Sequence, residues 1–190
     1  MTQKIMERGI PNKANLLDYD ITEEEYNMLE KLAKSRNNSF KADIKYSSLW
    51  NETKDTLWKS HMTGVTGEYI FSRHGNLKLD RRIFENAGDA GTDFLGIEIK
   101  STRSNRPCLR IKKRDFINKY DQIKALGLCY VRPDFRYGYL IGGISKKRFE
   151  TIKNVTNKWN NDFYEVSAEH LTSFTKETIM EFIDAFYNKD

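Results

Sequence analysis

The chain has 190 residues, of which 38% are hydrophobic and 13% aromatic, enough to build a core and too many for general disorder. Its 32 basic and 27 acidic residues leave a net charge of +5, and with no apolar run of ~18 residues a membrane span is not expected. The opening MTQKIMERGIPNK lacks the apolar region of a signal peptide, so intracellular residence is expected, and Cys108 and Cys129 read as buried free thiols.

Residues 1–20 show no hydrophobic period and are expected to wrap or fray. Ile21 to Ser35 read as a helix, with Thr22 as N-cap, Glu25 at the capping-box position and Tyr26, Leu29 and Ala33 as a modest apolar stripe. Asn37, Asn38 and Ser39 then break it. Residues 1–50 carry no chemical motif and are set apart as an N-terminal helical extension that could cap the main domain, dimerise the chain or contact a partner. Residues 51–190 form the main domain.

Asn51 to Arg73 read as the second helix, where Trp58, Met62, Val65 and Tyr69 recur as a buried stripe. Glu68 lies at the edge of that stripe, from which a carboxylate can reach a neighbouring sheet end, and His74-Gly75-Asn76 close the helix. Leu77 to Phe84 alternate as a strand. A hairpin follows, then a short strand at Cys108 to Lys112 and a helix from Arg114 to Leu126 ended by Gly127. Leu128 to Arg132 and Tyr137 to Ile144 read as strands either side of a turn. Ser145 caps a short basic helix, and Phe163 to Val166 could be an edge strand. Thr175 caps a last amphipathic helix with Ile179, Phe182, Ile183 and Phe186 inward. This order implies an α/β fold with a mixed central β-sheet flanked by helices.

The chemistry concentrates in Gly88 to Thr102, GDAGTDFLGIEIKST. Leu95-Gly96 reads as a two-residue hairpin turn that pairs Phe94 with Ile97, Asp93 with Glu98, Thr92 with Ile99 and Gly91 with Lys100. Alternation then puts Asp93, Glu98 and Lys100 on one face. Two acids opposite each other repel, whereas a hard divalent cation such as Mg²⁺ takes oxygen ligands and removes the conflict. An acid two residues before a lysine also occurs at Asp43 and Lys45 and at Glu52 and Lys54, but neither has an aspartate at hairpin distance upstream. A solvated hairpin face is the plainer alternative, and the like-charged pair argues against it.

From Lys100 to Arg114 the chain has seven basic residues and no acid. Arg103, Arg106, Arg110, Lys112 and Lys113 are the candidates for contacts to a polyanion, because phosphate contacts supply most of the affinity for nucleic acid. An ordinary solvated strand edge would look the same from charge alone.

Glu68 on a helix, Asp93 before a turn and Glu98-Ile99-Lys100 on the next strand resemble the PD-(D/E)XK nuclease superfamily, over roughly residues 56–170. The chain departs from the pattern in having Thr92, not proline, before Asp93. The resemblance implies a restriction-endonuclease-like core and a Mg²⁺-dependent deoxyribonuclease, with Mn²⁺ able to substitute, inside a prokaryotic or phage-infected cell. It implies that Asp93, Glu98 and the Ile99 carbonyl hold the metal, that Lys100 contacts the attacking water and a phosphate oxygen, and that Glu68 holds a second metal or metal-bound waters. DNA is the implied partner, with a homodimer or higher homo-oligomer left open. Two other readings stand beside it: a catalytically inactive DNA-binding or structural protein on the same fold, and an RNA-directed or protein-interacting module whose acids are surface charge.

Overall fold

A computed structural model describes residues 17–39, 54–83, 91–158 and 161–186. The first described segment is a strand, β1 (Leu17–Asp20), where the sequence suggests a fraying end. It is too short to show a period, and it forms because its backbone pairs antiparallel with a strand far along the chain. Helix α1 (Glu23–Ser39) begins at the expected box: the Glu25 N–H donates to Thr22 Oγ1 and the Thr22 N–H donates to Glu25 Oε2. It runs through Asn37 and Asn38 rather than stopping at Ser35, so Arg36 sits in its last turn.

Helix α2 (Lys54–His74) carries the expected stripe, with Met62, Val65 and Tyr69 buried and Trp58 packed against them. The start expected at Asn51 lies outside the described residues. Leu77 to Ile83 form no strand, although Leu79 is buried; Phe84 lies outside the described residues. Strands β2 (Ile97–Thr102) and β3 (Cys108–Lys112) follow. Helix α3 (Lys113–Asn118) is one and a half turns long, much shorter than expected, because Ala125 to Leu128 already belong to β4 (Ala125–Val131). Gly127 is no helix terminator. It lies within β4, where an added Cβ would come within 2.8 Å of Ile99 Cδ1.

Strand β5 (Tyr137–Ser145) leads into α4 (Lys146–Ile152), whose Arg148 N–H donates to Ser145 Oγ. Then come β6 (Asn154–Lys158), β7 (Asn161–Ser167), a short 3-10 turn, β8 (Thr172–Ser173) and α5 (Lys176–Phe186). The central sheet has the order β1-β5-β4-β2, with β8 also on β5; β2 and β4 are parallel and the other pairs antiparallel. A second, antiparallel sheet has the order β3-β7-β6, so the Phe163 to Val166 segment is a middle strand, not an edge. The protein is thus mixed α/β with a mixed central sheet flanked by helices. Residues 17–39, set with an extension on sequence grounds, supply a strand of that sheet and a helix packed on α2.

Each sheet face has its own core. Ile97, Ile99 and Cys129 pack with α1, α2 and α5, while Leu126 and Leu128 pack with Leu109, Ile111, Phe116 and Phe149. Helix α2 passes close to β2 at Gly67, where a Cβ would fall 1.9 Å from Ser101 Oγ and 2.9 Å from Ser101 Cβ. Gly67→Ala is therefore expected to push α2 off β2, destabilising the fold by about 1–3 kcal/mol in urea denaturation. Unchanged stability would mean that the helix has room to move there. Among the described residues no helix is long and apolar enough to cross a membrane.

Candidate active site at the open edge of β2

Among the described residues β2 ends the central sheet, with β4 on one side and no strand on the other. Its side chains alternate as the sequence suggests: Ile97 and Ile99 enter the core under α2, and Glu98 and Lys100 take the opposite face. The preceding turn differs from expectation. Only Phe94 and Ile97 pair, through N–H to carbonyl bonds of 3.0 and 2.5 Å, so there is no ladder carrying Asp93 opposite Glu98. Gly96 adopts φ +85°, and Thr92 Oγ1 closes the turn by accepting the Gly96 N–H and donating to the Phe94 carbonyl. The approach at 88–90 lies outside the described residues.

Asp93 instead leans along the strand edge, where its Oδ2 accepts the Ile99 N–H at 2.7 Å. In a parallel pair the residues of a strand alternate between facing the neighbour and facing away. Ile97 and Ile99 face away, so the Ile99 carbonyl is turned toward the edge that Asp93 occupies.

Glu98 is 3% exposed, and a carboxylate so buried needs cations. Lys100 Nζ lies 2.5 Å from its Oε1 and Lys119 Nζ 3.5 Å from its Oε2. Glu68, beside Gly67 on α2, reaches the same neighbourhood. Its two oxygens accept from Arg36 Nη1 at 3.2 and 3.0 Å, and Arg36 Nη2 donates to the Asp80 carbonyl. Neither Arg36 nor Lys119 stands out in the sequence. Arg36 lies just past Ser35, where the sequence pattern ends α1, and Lys119 lies in what reads as a long helix.

The electrostatics tie these groups together. Burial raises Asp93 well above the usual carboxylate range, and the charges of Glu98 and Glu68 push the same way. Burial also raises Glu68, against the pull of Arg36 and with a push from Glu98. For Lys100 burial works to lower the ammonium, but Glu98 and Asp93 outweigh it and hold the group above its ordinary value.

Among the described residues no group of three or more His, Cys, Asp and Glu side chains is placed to hold a metal ion. Glu68 is engaged by Arg36, which leaves Asp93 and Glu98. These two are the acids that would be left to a hard cation such as Mg²⁺, which commonly takes one or two carboxylates and completes its shell with water and substrate phosphate. Of the basic candidates, Arg106 and Lys112 are exposed, Arg103 lies 5.7 Å from the Phe135 ring centre, and Arg110 is ion-paired with Glu165 at 2.6 Å. Lys113 opens α3.

Comparison with protein-family models gives no match, and neither do comparisons with curated proteins and with solved structures.

Proposed function

We propose that this chain is a metal-dependent endonuclease that hydrolyses DNA phosphodiester bonds, on a restriction-endonuclease-like core. One observation carries the reading: at the edge of β2 Asp93 accepts the Ile99 N–H and Lys100 Nζ lies 2.5 Å from the buried Glu98, with Glu68 on α2 near enough to act on all three. Asp93, Glu98 and the Ile99 carbonyl would hold Mg²⁺ or Mn²⁺, and the ion would supply Lewis acidity and an acidified water. Lys100 stays charged, so its part is to donate: its ammonium steadies the attacking oxygen and the charge that builds on the phosphate. It is not the general base. Arg103, Arg106, Lys112 and Lys113 would contact flanking phosphates; Arg110, already matched by Glu165, would add little.

Incubating the protein with supercoiled plasmid tests this. Nicking with Mg²⁺ and none with EDTA is the expected outcome. DNA binding without Mg²⁺-dependent nicking would sink the proposal in favour of an inactive DNA-binding protein. That second reading has an observation of its own, since Glu68 and Glu98 both already have cationic partners.

A further inference from the structure

We propose that Arg36 is a built-in counter-cation that occupies Glu68 permanently, so that the site takes one divalent cation and not two. The inference rests on the metal-dependent reading above and settles how many ions that site holds.

The three acids are not equally open to a metal. Asp93 accepts a backbone N–H from Ile99. Glu98 meets two lysines, whose compact charges ride on flexible stems and can swing aside when a stronger cation arrives. Glu68 is different. One guanidinium nitrogen lies 3.0 and 3.2 Å from its two oxygens, while the other is anchored 2.8 Å from the Asp80 carbonyl. The side chains of Arg36 and Glu68 are only 20% and 12% exposed, so water screens the pair poorly. A hard cation must come within ~2.1 Å of a ligand oxygen, hard against that like charge. Moving Arg36 aside breaks all three of these hydrogen bonds. Arg36 thus acts as a positioning residue: it fixes Glu68 at the edge of the site and keeps it from ligating metal.

The pairing of charges agrees: Arg36 is the cation on Glu68, whereas Lys100 and Lys119 stand on Glu98. Removing the Arg36 charge takes that cation from Glu68.

Calorimetric titration with Ca²⁺ tests the proposal. Wild type is expected to bind one ion per chain and Arg36→Gln two. The double variant Arg36→Gln with Glu68→Gln, which removes both charges together, is expected to bind one ion with a Kd within about tenfold of wild type, below the scale on which loss of a ligand or its support is felt. Two ions in wild type, one in Arg36→Gln, or a double variant weakened beyond that range would overturn it. No ion in wild type would instead sink the metal-dependent reading, and this inference with it. Circular dichroism melts establish that each variant folds; should Arg36→Gln not fold, the double variant decides alone.

Discussion

Lys100→Ala is expected to lower single-turnover cleavage of duplex DNA by about 100- to 1,000-fold, the usual cost of removing one preorganised donor from developing charge. Binding measured in EDTA should weaken by less than about tenfold, because phosphate contacts elsewhere share the affinity. The argument rests on where the charge sits. Glu98 and Asp93 hold the ammonium protonated against the pull of burial, and it stands on the same strand face as Glu98. The variant still leaves Lys119 beside Glu98, so the buried carboxylate is not stranded. Cleavage should be compared at a temperature where both proteins are folded by circular dichroism. A Lys100→Ala protein that cuts at nearly the wild-type rate would remove β2 from the reaction centre.

A melting series on wild type and Asp93→Asn should show the second large effect. A cation that binds only the folded state with a Kd of ~1 mM stabilises it by ~1.4 kcal/mol at ~10 mM. For a chain of this size that is a rise of roughly 3–6 °C in Tm. Wild type should show it with Ca²⁺, and Asp93→Asn should lose most of it. Without metal the order reverses. The folded-state pKa of Asp93 is raised, so between the ordinary value of ~3.9 and that raised value the native chain binds more protons than the unfolded one. Wild-type stability therefore falls as pH rises through this window. Asp93→Asn lacks that slope and should melt slightly higher at neutral pH, since the amide keeps an oxygen for the Ile99 N–H. Equal responses to Ca²⁺ in both proteins would place the ion elsewhere.

Local chemistry made some of this structure readable in the sequence. The Thr22–Glu25 box, the Met62, Val65 and Tyr69 stripe, the limits of β3 and the Ser145 cap each depend on residues close together in the chain. The Phe94–Ile97 turn was legible for the same reason. What depends on distant partners was not. Strand β1 exists only because β5 pairs with it, while the alternating Leu77 to Ile83 segment stays irregular. Leu126 fits a helical pattern as well as a strand, and the contact of Gly127 with Ile99 belongs to the parallel β2–β4 pair. At the site, the acids and Lys100 announce themselves by spacing, but Arg36 and Lys119 gain their meaning from a carboxylate 32 and 21 residues away.

The order of the strands has a consequence for a chain still being synthesised. Strand β1 leaves the ribosome first, yet its partner β5 follows roughly 120 residues later, a wait of about 6–24 s at ~5–20 residues per second. Helices α1 and α2 have no such delay, for they lie near each other in the chain and pack directly on each other. Arg36 can therefore meet Glu68 before β5 has emerged to complete the central sheet. The nascent protein then need not close its sheet around three bare carboxylates: the Arg36–Glu68 pair depends only on two helices that precede β2.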